Sequence, residues 1–101
     1  MAFGFHVGIE MGGTTCKVGI FSSDFELKAK NVFQTSNTNA QYTLNEISTW
    51  IAEQCGESHP ESIGIACFGP LSLDKTSSDY GTITTTPKIA WQGVPVLKHF
   101  T

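Results

Sequence analysis

Gly12, Gly13 and Thr14 sit between two short apolar runs, with Glu10 just ahead of them. Two adjacent glycines remove both side chains where the chain bends, so consecutive N–H groups can converge on an anion, and Thr14 and Thr15 add hydroxyl donors. Phosphate suits such a turn. A carboxylate at Glu10 would repel phosphate unless a divalent cation with its water shell lay between them, so the set points to a magnesium-nucleotide site. A Gly-Gly pair also serves ordinary hairpin turns. The stretch lacks the terminal Lys of a P-loop and the spacing of a dinucleotide fingerprint, and on these residues alone both readings stay open.

The elements around the turn follow from periodicity. Phe5, Val7 and Ile9 alternate with His6, Gly8 and Glu10; beyond the glycines Cys16, Val18 and Ile20 alternate likewise, predicting two antiparallel strands. Ser22-Ser23-Asp24 makes the next turn, and Leu27, Ala29 and Phe33 against Lys28, Lys30 and Gln34 predict a third strand with edge character. A polar loop from Thr35 to Gln41 leads to Thr43-Leu44-Asn45-Glu46, a capping-box pattern, and Leu44, Ile47, Trp50 and Ile51 keep helical spacing as far as Gly56. After Pro60, Ser62–Cys67 reads as a central strand covered on both faces and parallel to the first, reached by a right-handed helical crossover. The carboxyl ends of these two strands, near Glu10 and near Phe68-Gly69-Pro70, then share one side of the sheet, where open α/β sheets gather ligands.

From Ser72 to Trp91 no period persists, which predicts a long ordered loop or irregular excursion, a type usually functional or disordered. Its aromatics Tyr80 and Trp91 argue against simple disorder. A helix is expected from Val94-Pro95, with Pro95 in its first turn and Val96, Leu97 and Phe100 on its apolar face, and no capping signal ends it before Thr101.

Composition bounds the class. A chain of 101 residues is one domain at most and buries about 60–65% of its unfolded surface. Six lysines, no arginine and nine acidic residues leave a net charge of -3 with no basic cluster, which disfavours nucleic acid as a partner. Cys16, Cys55 and Cys67 show neither metal-knuckle spacing nor the density of a disulfide scaffold; they read as small buried hydrophobes in a reducing cytoplasm. No signal peptide or membrane span is expected, hence no membrane partner. His6, His59 and His99 offer no pair with metal-ligand spacing.

Three segments together carry a family resemblance: Gly8-Ile9-Glu10-Met11-Gly12-Gly13-Thr14, then Gly64-Ile65-Ala66-Cys67-Phe68-Gly69-Pro70, then Tyr80-Gly81-Thr82-Ile83-Thr84-Thr85-Thr86-Pro87-Lys88-Ile89-Ala90-Trp91. In this order and spacing, which spans nearly the whole chain, they resemble the amino-terminal part of fructokinases of the ROK family of sugar kinases. The resemblance implies an α/β fold of the ribonuclease H-like, actin- and hexokinase-type ATPase class. Residues 1–101 would form an incomplete amino-terminal lobe, a mixed sheet with an antiparallel meander and a helical crossover, lacking the second, nucleotide-binding lobe.

It also implies roles at matched positions. Glu10 would orient magnesium, through water, and Gly12, Gly13, Thr14 and Thr15 would face the phosphates of ATP. Thr15 departs from the Lys that usually follows Gly-Gly-Thr, and Lys17, on the same strand face, is an open candidate to replace it. Gly69, Pro70, Thr86 and Lys88 would lie on the sugar side, with Asp74 in the segment that helps enclose it. Lys88 reads as a donor to a sugar hydroxyl or as a solvated Lys, and Trp91 as a core residue or a platform for a sugar ring. Asp74 and Asp79 precede the strand that carries the family's base, so each reads as a solvated or sugar-side carboxylate. The catalytic Asp is expected beyond Thr101, together with the family's zinc-binding His/Cys cluster and adenine pocket, so this chain alone is expected to be inactive.

The activity implied is ATP-dependent phosphorylation of a hexose, fructose to fructose 6-phosphate foremost, in the cytoplasm, with a homo-oligomer open for the longer protein. A non-catalytic phosphate- or sugar-binding domain, or one half of a split protein, is the alternative.

Overall fold

The computed structural model describes residues 4–56 and 59–101. Strands β1 (Phe5–Met11), β2 (Thr15–Ser22) and β3 (Leu27–Gln34) form the antiparallel meander. Helix α1 (Ala40–Cys55) then carries the chain across to β4 (Ser62–Cys67), which pairs parallel to β1. The sheet order is β3-β2-β1-β4. A single 3-10 turn (Ile89–Trp91) and the short helix α2 (Val96–His99) close the chain.

Alternation along the strands sorts the sheet into two unlike faces. Val7, Ile9 and Met11 of β1 and Cys16, Val18 and Ile20 of β2 are buried with Leu44, Ile47 and Ile51 of α1. On the opposite face Gly8 is in register with Gly19 of β2 and with Gly64 of β4, a row of glycines across three strands. The rings and methyls of Phe21 and Leu27 fold over Gly19, leaving an open trough of about 540 Å³.

Three expectations about elements need correction. Helix α1 starts before the Thr43 capping box: Asn39 is the N-cap, its Oδ1 accepting the Tyr42 amide at 3.1 Å, because a side chain with non-helical backbone stood ready one turn earlier. Thr43 lies fully buried inside the helix, where its hydroxyl accepts the Ser36 amide at 2.9 Å and ties down the preceding loop. Strand β4 is not central among the described strands but an edge: Ile63, Ile65 and Cys67 turn to the core, while Ser62, Gly64 and Ala66 are exposed. Its second face is made of small residues, so apolar character on both faces did not mean cover on both. Pro95 is likewise at the cap of α2, one residue before the helix proper.

Candidate active site

The hairpin turn between β1 and β2 is braced by Thr35, the residue after β3. The buried side chain of Thr35 donates to the Gly12 carbonyl at 2.9 Å, and its own amide donates to the Thr14 carbonyl at 2.9 Å. Gly12 N–H closes the turn on Thr15 O at 2.9 Å. With the carbonyls of Gly12, Thr14 and Thr15 taken up in this way, the amides of Gly13 and Thr14 donate to no other described residue, and both residues are exposed. Backbone donors left without acceptors at a solvent-facing turn are an anion site in waiting.

The two glycines are needed for different reasons. A Cβ at Gly12 would sit 2.8 Å from the Thr15 carbonyl oxygen, inside the turn itself. A Cβ at Gly13 would meet only the Cε of Lys88, at 3.2 Å. Glu10 is exposed on the open face, in register with Lys17 and Ala66, and forms no ion pair among the described residues. Among the described residues no three His, Cys, Asp or Glu side chains cluster as a metal cage. Magnesium asks for less: it keeps several waters and takes one or two carboxylates together with phosphate oxygens, so a single carboxylate three residues before a turn with free N–H donors fits it.

The end of β4 arrives beside this turn because the Phe68 amide donates to Met11 O at 3.0 Å, extending the parallel pairing. Gly69-Pro70, joined by a cis peptide bond, follows at once, and Pro70 O accepts both the amide (2.8 Å) and the hydroxyl (3.1 Å) of Thr84. Segment 84–92 is thereby turned back over the carboxyl end of the sheet. Trp91 is its anchor: fully buried, edge-on to Phe68 at 5.5 Å, with its indole N–H donating to Ser36 O at 2.7 Å. Trp91 is therefore core, the first of its two sequence readings, and no ring platform. Thr86 is buried too, its hydroxyl accepting the Lys88 amide at 3.2 Å and its carbonyl the Gln92 side chain at 2.9 Å. Lys88 is half-buried, and its ammonium donates to Asn37 Oδ1 at 2.6 Å.

Lys17 is exposed on the open face of the sheet, in register beside Glu10. The remaining candidates fall away from the cluster. Asp74 takes the amide and hydroxyl of Thr76, and Asp79 the hydroxyls of Ser77 and Ser72; these bonds hold both carboxyls below their ordinary value and spend them on the loop's own structure. Burial pushes the Cys67 thiol up to about 11, with Cys16 nearby as the second cause, and raises Cys16 as well, so neither is a ready nucleophile. Sequence reading passed over Thr35 and Asn37, which brace the turn and hold Lys88. Their one signal was the unbroken polar run Thr35-Ser36-Asn37-Thr38-Asn39.

The comparison with known proteins settles the family. The ROK family pattern matches residues 6–101. The chain belongs to the ROK family. A fructokinase from Pediococcus pentosaceus is 44% identical over 95 residues, covering 90% of this chain and 30% of that protein. A fructokinase from Lactococcus lactis subsp. cremoris is 31% identical over 90 residues, covering 89% of this chain and 29% of the relative. This ROK chain thus spans about 30% of the length of the relatives it matches. Among solved structures, a ROK family glucokinase from Streptomyces griseus in complex with glucose and AMPPNP superposes with a TM-score of 0.70 at 23% identity, over 96% of this chain and 29% of that one. The mixed sheet is accordingly part of the actin- and hexokinase-like fold that the ROK resemblance implied. No helix among the described residues is long and apolar enough to cross a membrane.

Proposed function

We propose that this chain is the phosphate-binding lobe of an ATP-dependent hexose kinase, with fructose as the acceptor and fructose 6-phosphate as the product. The observation that carries the reading is the pair of amides at Gly13 and Thr14, free among the described residues, in a turn where the carbonyls of Gly12, Thr14 and Thr15 are tied away. These amides, with the hydroxyls of Thr14 and Thr15, would hold the phosphates of ATP, and Glu10 would orient magnesium through water. Magnesium, when bound, offsets charge on the phosphate oxygens. Gly69 and Pro70 would border the sugar on the far side of the cluster, with Thr86 holding the backbone of the segment that covers it. The base that accepts the hydroxyl proton would lie beyond Thr101, and the setting is the cytoplasm. Four relatives named fructokinase, from lactic acid bacteria, streptococci and Zymomonas, support fructose over other hexoses.

Amide chemical shifts of the isotopically labelled chain test this reading. Titration with magnesium and ATP is expected to move Gly12, Gly13 and Thr14 saturably, and the same titration of Glu10→Gln to need more magnesium for the same shift. Fructose is expected to move Gly69 and its neighbours. Shifts confined to residues far from Gly13 would overturn the assignment.

A further inference from the structure

Lys88 belongs by sequence to the segment assigned to the acceptor, yet its aliphatic end lies against the donor turn. Its Cε is 3.2 Å from the place a Gly13 side chain would occupy, and its ammonium is fixed by Asn37 Oδ1 at 2.6 Å. The approach is built rather than incidental. Thr86 holds the Lys88 backbone through its hydroxyl, Gln92 holds Thr86, and the Trp91 indole clamps the segment to Ser36, next to Asn37. Lys88 forms no ion pair among the described residues; its one partner is a neutral amide oxygen. What stands beside it is a turn with two unused N–H donors.

Resting on the phosphate reading above, we infer that Lys88 binds phosphate: its ammonium meets the terminal phosphate of a polyphosphate chain seated on the amides of Gly13 and Thr14, so that a residue of the acceptor segment reaches over to the donor. Asn37 sets the reach of the side chain, and the missing side chain at Gly13 clears the path for it. A sugar hydroxyl would meet the Lys88 charge with a neutral oxygen, whereas a phosphate meets it with an opposite charge, at a site already lined with donors.

Titration of the chain with inorganic triphosphate and magnesium tests this, read on the Gly13 and Thr14 amides and on the Lys88 Cε–H signal. In the wild-type chain all three are expected to move together along one binding curve. Lys88→Met should weaken triphosphate binding about tenfold, Lys88→Arg by much less, and neither should alter the response to fructose. If Gly13 and Thr14 move while the Lys88 signal stays still, or if Lys88→Met binds triphosphate as well as wild type, the phosphate turn stands and the role of Lys88 is overturned. Loss of the fructose response alone in Lys88→Met would assign Lys88 to the sugar and overturn the inference too. No movement at Gly13 or Thr14 in the wild-type chain would overturn the phosphate reading, and this inference with it. The Lys88 signal is read on unmodified protein, so the test does not depend on the variants folding.

Discussion

The two sides of the candidate site are built by different means. On the side proposed for the phosphate donor, the turn Gly12–Thr14 is an extension of the sheet: β1 and β2 pair residue by residue from Phe5 and Ser22 up to Met11 and Cys16, and Thr35, the residue after β3, locks the tip. On the side proposed for the acceptor, segment 69–92 has one isolated bridge, Leu71 to Ile83, and is otherwise held by single hydrogen bonds and one buried ring. The first side gets its geometry from a cooperative ladder and so has little need of any one side chain. The second concentrates its order in Trp91 and a few polar groups, and should be correspondingly easier to break.

The largest effect expected from that difference is at Trp91. Replacement by Ala removes a fully buried ring, its edge contact with Phe68 and the bond to Ser36, at a cost of about 3–5 kcal/mol, a large share of what a small domain has. A far-UV circular dichroism melt would show it. A melting point close to wild type would mean that the acceptor segment does not lean on this ring.

The glycines offer a smaller and more discriminating effect. Gly12→Ala forces a Cβ to 2.8 Å from a backbone oxygen that cannot swing away, and should cost about 1–3 kcal/mol. Gly13→Ala meets only the flexible end of Lys88 at 3.2 Å and should change stability by about 0.5 kcal/mol or less, while weakening phosphate binding. Urea titration of both variants measures the ordering. Equal destabilisation would show that Gly13 is also there to form the turn.

The smallest effect belongs to pH. Asp74 and Asp79 are held below their ordinary 3.8 by hydroxyl and amide donors of the same loop. A carboxyl with a depressed folded-state pKa contributes stability above its ordinary value and loses it as pH falls through the lowered one. The loop around Ser72–Thr82 should therefore loosen in acid below about pH 4 while the hairpin turn keeps its structure. Amide exchange of Ser77 and Tyr80 compared with Gly12 and Thr35 reads the contrast, and parallel acid loosening of both regions would remove it.

The same contrast explains how much was legible from the residues. Strands β1 to β3 follow from alternation, β4 from a short apolar run after Pro60, and the parallel crossover from the helix between them, since each signal is local. The Gly-Gly-Thr turn was visible for the same reason, its flanks being strands. The acceptor segment was visible only as a long aperiodic stretch, because the contacts that order it join Trp91 to Ser36 and Lys88 to Asn37, partners more than fifty positions apart with no repeat to announce them. Helix α1 shows the limit at short range: Thr43-Leu44-Asn45-Glu46 and Asn39 both carry capping chemistry, and the buried contacts of Ala40 and Thr43 decided for Asn39.

The central claim is that this chain supplies the donor turn and part of the acceptor side of a hexose kinase. Exchanging it for the matching segment of the Pediococcus pentosaceus fructokinase, with which it shares 44% identity over 95 residues, puts that claim to a single coupled assay of fructose phosphorylation by ATP. The account predicts that the folded chimaera turns over fructose and that Gly13→Val in the chimaera abolishes turnover without unfolding it. A chimaera that melts cooperatively yet phosphorylates no fructose, or one whose activity survives Gly13→Val, would contradict it.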